Sequence, residues 1–332
     1  MRNALLVLLA FAAGVAVMLM LPGHGPSWMT HRAAQPHAIA EAAPATADSA
    51  PAPSTTAPEV DDLADNWPGN APSPEQVIYA QPRMVREALE KLGHRAAGKP
   101  NLYLIAFAGD GGEDVFRNEA EFAGKLFGEQ FGANTHTLIM VNNPSTLQKY
   151  PLATWSNLEL ALDGVRAAMQ PDQDILMLYV TSHGDEDHTL LVDMDPLPLD
   201  QIGADDLATL LAKRDFKWKV IVVNACYSGG FVPPLRGPGT LVMTAARTDR
   251  SSFGCGADSD FTYFGRAWLI DALKETPDFV QAFNRARQEI SQWEKRDSVV
   301  PSEPQINVGA GIADQLARWR APGRSAAARH SP

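Results

Sequence analysis

Cysteine is nearly missing: a chain of 332 residues carries two, Cys226 and Cys255. Two thiols exclude a disulfide framework and a four-thiolate zinc site, and they make each cysteine worth inspecting singly. No basic cluster is present either, and 28 Lys and Arg against 39 Asp and Glu give a net charge of -11. That balance excludes nucleic acid as the main partner. It serves solubility and names no substrate.

Long apolar runs are absent but for one. Arg2 precedes an uncharged stretch, residues 4–21, that ends at Pro22 and Gly23. As a helix it would span roughly 27 Å, enough for the hydrocarbon core of a bilayer. It exceeds the usual core of a cleaved signal, no small-x-small site follows directly, and no lipobox cysteine is present. Residues 1–21 are therefore read as an uncleaved signal anchor in the inner membrane, single-pass. The amino terminus stays cytoplasmic and the remainder becomes periplasmic or otherwise extracytoplasmic. Residues 22–74 are dominated by Ala, Pro, Ser and Thr. Such a segment buries too little apolar surface to offset its ordering entropy and is expected to be a disordered, extended spacer.

From residue 75 onward two periodicities alternate. Helical spacing is found at 82–92, 115–131, 158–169, 201–213, 264–273 and 279–293. All-apolar strand runs lie at 102–107, 137–141, 175–180, 219–225 and 240–246. Strands apolar throughout and separated by helices predict a mostly parallel sheet covered on both faces. One α/β domain over 75–318 fits, with a flexible basic tail at 319–332.

In such sheets reacting groups gather at the carboxyl ends of strands. The third strand runs into Thr181-Ser182-His183-Gly184 and the fourth into Asn224-Ala225-Cys226-Tyr227-Ser228-Gly229-Gly230. Cys supplies a polarisable nucleophile and His a proton carrier. The adjoining glycines would leave N–H groups free to hold an oxyanion. Other readings of the same residues stand beside this one. A cysteine ending an apolar strand is often a small buried hydrophobe, and Gly pairs make turns. His183, Asp185, Asp187 and His188 crowd one loop, but zinc sites seldom draw all ligands from so short a segment. Spacing alone leaves these readings open.

The wording is more specific. The SHG and ACYSGG strand ends, TAARTDRSSFGCG (244–256), TYFG (262–265), LIAFAGDGGEDVFRNEAEF (104–122) and SEPQINVG (302–309) together resemble the legumain (asparaginyl endopeptidase) family of caspase-fold cysteine peptidases. The likeness is greatest to its bacterial, membrane-anchored branch, over about residues 67–316. The resemblance implies a caspase-like three-layer α/β/α sandwich and a thiol endopeptidase that cleaves peptide bonds through a thioester acyl-enzyme. Its partner is a peptide or protein substrate, without metal or cofactor. Cys226 matches the nucleophile and His183 the general acid/base. The N–H groups of Gly184 and Cys226 match the oxyanion donors, while Arg117, Ser251 and Ser252 match residues near the primary specificity pocket.

Two positions depart from the family pattern. Val115 stands where an Asn orients the histidine, so the pair looks like a dyad or takes its orienting group from elsewhere. Arg266 stands where an acidic residue helps to select asparagine. If Arg117 and Arg266 both face the residue before the scissile bond, Asp, Asn or Glu is favoured there and Lys or Arg rejected, with Asp258 or Asp260 able to neutralise one arginine. Cys255 is expected to be a packed thiol near the pocket wall. A transamidase using the same dyad and a non-catalytic envelope tether are the alternatives. The oligomeric state is not implied.

Overall fold

The computed structural model describes residues 67–256 and 259–321. The expected anchor at 4–21, most of the spacer, Asp258 and the last part of the basic tail lie outside the described residues. Among the described residues no helix is long and apolar enough to cross a membrane.

The described part begins with α1 (Pro74–Glu90), followed by β1 (Leu102–Ala108), α2 (Asp114–Gln130), β2 (Thr135–Val141), α3 (Trp155–Ala168) and β3 (Ile175–Thr181). A small antiparallel pair, β4 (Thr189–Leu190) and β5 (Ile202–Gly203), leads into α4 (Ala204–Ala212), β6 (Trp218–Asn224) and β7 (Thr240–Thr244). A helical run at 263–275, here α5, contains a π-helical middle at Arg266–Ala272. Then come α6 (Phe279–Asp297), β8 (Gln305–Val308) and α7 (Ile312–Arg320). The main sheet has the order β2-β1-β3-β6-β7-β8 and is parallel except for β8.

The alternation of side chains along a strand divides the interior into two cores. Leu102, Leu104, Ile175, Met177, Tyr179, Val220 and Val222 face α2, α5, α6 and α7. Tyr103, Ile105, Leu176, Leu178, Ile221 and Val223 face α1, α3 and α4. Both faces are thus closed by helices, which is why the strands read as unbroken apolar runs. The result is an α/β/α sandwich, an arrangement that fits the caspase-like architecture.

The ends of the domain differ from expectation. Helix α1 starts at Pro74 instead of residue 82, because a capping box joins Ser73 and Gln76 and Pro74 occupies the first turn. Pro82 sits inside that helix, where the buried Gln81 side chain fastens it: Gln81 Oε1 accepts from Leu152 N–H at 2.7 Å and from Asn157 Nδ2 at 2.8 Å. The last stretch of the expected spacer is ordered too, since Trp67 and Ala71 pack on a small cluster of Val77, Leu147, Leu152, Met194 and Leu197. At the other end, Trp319 was expected to begin a flexible tail. It is instead 1% exposed and stacks on Phe131 as the last anchor of α7.

Candidate active site

Strands β3 and β6 are hydrogen-bonded neighbours whose last paired residues are Thr181 and Asn224. The same register carried two residues further sets His183 beside Cys226, about 4.8 Å from one strand to the next. One more bond, Ser182 N–H to the Asn224 carbonyl at 3.2 Å, holds the chains together past the ladder. Gly184 then lies so close that a Cβ added there would collide with the Cys226 carbonyl oxygen and crowd Ala225. Sheet register and one missing side chain bring the backbones of these two strand ends together.

Cys226 is half-buried and its sulfur is well supplied with donors. Ser252 N–H points at Sγ from 3.3 Å and the Ser252 hydroxyl lies 3.6 Å away. The largest cause pushing the Cys226 thiol well below its ordinary range is the neighbouring Cys255 thiol, acting as a hydrogen-bond donor to the thiolate. Burial works against the shift, while the N–H and hydroxyl of Ser252 and the charge of His183 reinforce it. Cys255 is pushed the opposite way, first by that hydrogen bond and then by burial. The two thiols titrate as one unit, with the first proton leaving easily from Cys226 and the second held tightly on Cys255. Both cysteines are free thiols. As expected of it, Cys255 packs against the first core.

His183 is held by side chains. Its Nε2 lies 3.6 Å from Asp110 Oδ2 and 3.5 Å from Glu113 Oε2, and the ring meets Phe116 edge-on with centroids 5.0 Å apart. Asp110 is 4% exposed and its other oxygen accepts from Gly112 N–H at 3.0 Å, which locks it in the turn after β1. Glu113 Oε2 is buried with no hydrogen-bond partner. Two carboxylates therefore converge on one ring nitrogen where Val115 offers nothing. Neither was singled out from sequence, yet both sit in GDGGED (109–114), an acidic, glycine-rich turn at the carboxyl end of the strand beside β3. That placement was the available signal.

Asp110, Glu113 and His183 each present a ligand atom within 4.8 Å of the others, so this trio has the spacing to hold a metal ion. The loop residues weighed earlier for a metal do other work. Asp185 Oδ1 accepts the N–H groups of Asp187 and Thr189 at 3.0 and 2.9 Å, closing the turn. His188 bonds the Tyr227 carbonyl at 3.1 Å and fills the space left by Gly230.

Residues 158–314 match the model of the Peptidase C13 family. That match, over a little under half of the chain, indicates a cysteine peptidase of the legumain type, and no curated protein matches the chain. The matched segment includes His183 and Cys226, whereas Asp110, Glu113 and Arg117 lie upstream of it.

The remaining expected site residues divide. The His183–Leu191 and Asp185–Thr189 hydrogen bonds frame the Gly184–Leu190 bridge as a non-bonded pair, which leaves the Gly184 N–H directed away from the hairpin. Among the described residues neither it nor the Cys226 N–H has a backbone acceptor. Gly229 and Gly230 serve packing, because a Cβ on either would strike the 246–248 backbone or the His188 ring. Ser252 is at the nucleophile, and its exposed neighbour Ser251 lies on the rim. Arg117 follows Phe116 on α2. Its guanidinium is engaged by Asp114 at 2.9 Å, Ser145 at 3.0 Å and Asn143 at 3.3 Å. Arg266 is not brought into this group: its side chain is 56% exposed and pairs with Asp271 at 3.1 Å on its own helix.

Proposed function

We propose that this protein cleaves peptide bonds through a thioester on Cys226. His183 moves the proton, and Asp110 with Glu113 takes the orienting role that Val115 cannot fill. The observation that carries the reading is the placement of His183 and Cys226 on adjoining strand ends, with a thiol poised to lose its proton. The thiolate attacks the scissile carbonyl, and the carbonyl oxygen becomes an oxyanion within reach of the N–H groups of Gly184 and Cys226. Collapse of that intermediate expels the amine, which takes a proton from His183. Water then attacks the thioester as His183 accepts its proton, releasing the acid and restoring the thiolate. Two carboxylates at Nε2 fix the ring and leave Nδ1 for the reacting side.

Ser252 both supports the thiolate and borders the substrate. Arg117, one residue from the phenyl ring that packs on His183, is the arginine placed to meet the residue before the scissile bond. Residues 4–21 complete the reading as a single-pass anchor that keeps the peptidase at the outer face of the inner membrane.

A peptide-library cleavage profile of the full-length protein beside Cys226→Ala tests the assignment. Removing the nucleophile should lower turnover by on the order of 10⁶ with the fold retained. Undiminished cleavage by Cys226→Ala would refute the thioester mechanism.

A further inference from the structure

Glu119 is a carboxylate on the core side of α2, 0% exposed, with no cation paired to it among the described residues. Burying such a group is expensive unless its oxygens are fully bonded. Here they are. Oε1 accepts the Thr262 N–H at 2.8 Å and the Thr262 hydroxyl at 2.7 Å. Oε2 accepts the Thr181 hydroxyl at 2.6 Å, Asn224 Nδ2 at 2.6 Å and the Tyr179 hydroxyl at 3.0 Å. Gly265 presses so closely that a Cβ there would overlap the carboxylate.

The donors are the informative part. Thr181 and Asn224 are the last paired residues of β3 and β6, each two positions before a member of the catalytic pair. Beyond them the ladder ends, so the relative placement of His183 and Cys226 depends on how firmly that last pair is held. The Asn224 amide turns its NH2 toward Glu119 although this leaves its own Oδ1 buried without a donor. The carboxylate, not the amide's own needs, sets that orientation. Burial pushes the titration of Glu119 upward, opposed by the hydrogen bonds from Thr181 and Thr262.

We propose that Glu119 is a positioning residue for peptide-bond cleavage, tying Thr181 to Asn224 so that His183 meets Cys226 in a fixed geometry. The proposal rests on the His183–Cys226 reading above. It adds a second layer beneath that pair, since Glu119 touches neither reacting group.

The test uses full-length protein and a fluorogenic peptide selected from the library profile. Glu119→Gln keeps the volume but exchanges one acceptor oxygen for an NH2. It should lower kcat by roughly 10- to 100-fold with KM within about twofold, as expected for a small misplacement of reacting groups. The double variant Glu119→Gln/Asn224→Asp returns a carboxylate to the same hydrogen bond and should recover most of kcat. Glu294→Gln is the control, altering a buried carboxylate on α6 that accepts the Ser302 N–H at 2.7 Å. It should lower thermal stability and leave kcat per folded molecule unchanged. Should Glu119→Gln fail to fold, Thr181→Val removes a single donor from the same cluster and should still lower kcat at constant KM. Unchanged kcat in Glu119→Gln or in Thr181→Val, or losses that only follow the folded fraction as in Glu294→Gln, would overturn the proposal. Wild-type cleavage by Cys226→Ala would instead overturn the underlying dyad, a separate and distinguishable failure.

Discussion

The two turns to which the chemistry is assigned above are held in opposite ways. The turn after β6, proposed to carry the nucleophile, is fixed by backbone. Tyr227 adopts φ 55°, its N–H reaches the Arg250 carbonyl at 2.7 Å, and Gly229 and Gly230 let neighbouring segments press against it. The histidine turn after β3 is exposed beyond Gly184, and its imidazole is placed by side chains from another strand end, Asp110 and Glu113. A residue held by backbone packing is rigid but sensitive to any added atom. One held by charged side chains tolerates added volume and is sensitive to removed charge.

Among changes that spare both His183 and Cys226, the largest effect should come from adding one methyl group at the seam. Gly184→Ala places a Cβ against the Cys226 carbonyl oxygen and displaces a backbone N–H assigned to the oxyanion. Turnover should fall by about 10²- to 10³-fold, the range seen on losing one oxyanion donor. Circular dichroism should report an intact fold. Near-normal turnover would mean that the two turns have slack and that backbone contact does not set the geometry.

Neutralising the carboxylates should matter less one at a time than together. Asp110→Asn and Glu113→Gln each leave one anion at His183 Nε2, so either alone should reduce kcat by about threefold or less. The double variant should approach 10²-fold, the scale of general acid–base assistance. Additive losses in log kcat, or none, would argue against a shared role, since groups that act on one partner are non-additive. This pair was the least legible part of the site. His183 and Cys226 stand in short motifs at the ends of apolar strands, where sheet physics gathers reactive groups. Asp110 and Glu113 depend on β1 lying beside β3, a strand order that no local pattern encodes. The interior was legible for the opposite reason, because a strand buried on both faces advertises itself as an unbroken apolar run. The domain ends were not. Helix α7 is only nine residues long, and docking of Ile312, Leu316 and Trp319 into the core stabilises it, with Trp319 stacked on Phe131.

The paired thiols offer a pH test with a definite sign. The hydrogen bond from Cys255 lowers the Cys226 thiol's titration, so Cys255→Ala should move it back upward, toward about 8.5 for a free cysteine. Iodoacetamide alkylation of Cys226, which requires the thiolate, should then begin at higher pH than in the wild type, and cleavage near pH 6 should fall several-fold. Cys255→Ser keeps a donor at the same place and should lie between the two, with measurable activity retained. Identical alkylation profiles for all three proteins would leave Ser252 and His183 as the whole cause of the shift. Cys255 then stands outside the reaction, as a donor that never attacks substrate.

The smallest expected effect is at Arg266, where sequence position and spatial position disagree. By sequence it stands where an acidic residue selects asparagine, which would make Arg266→Asp a specificity switch. In space it is half-exposed, pairs with Asp271 at 3.1 Å and contributes favourable charge to Glu289. None of these partners belongs to the Cys226 group. Aspartate at 266 would face Asp271 and Glu289 with like charge on the helix surface, a penalty of about 0–1 kcal/mol for groups so accessible. Thermal stability should therefore drop slightly while kcat/KM and the preferred residue before the scissile bond stay within about twofold of wild type. Arg117→Ala makes the contrast, because Arg117 follows Phe116, whose ring meets His183, and is tethered to Asp114, Asn143 and Ser145. Its loss should weaken the preference for Asp, Asn or Glu through KM. A shift toward asparagine in Arg266→Asp, measured by library profiling, would show that position 266 reaches the substrate after all.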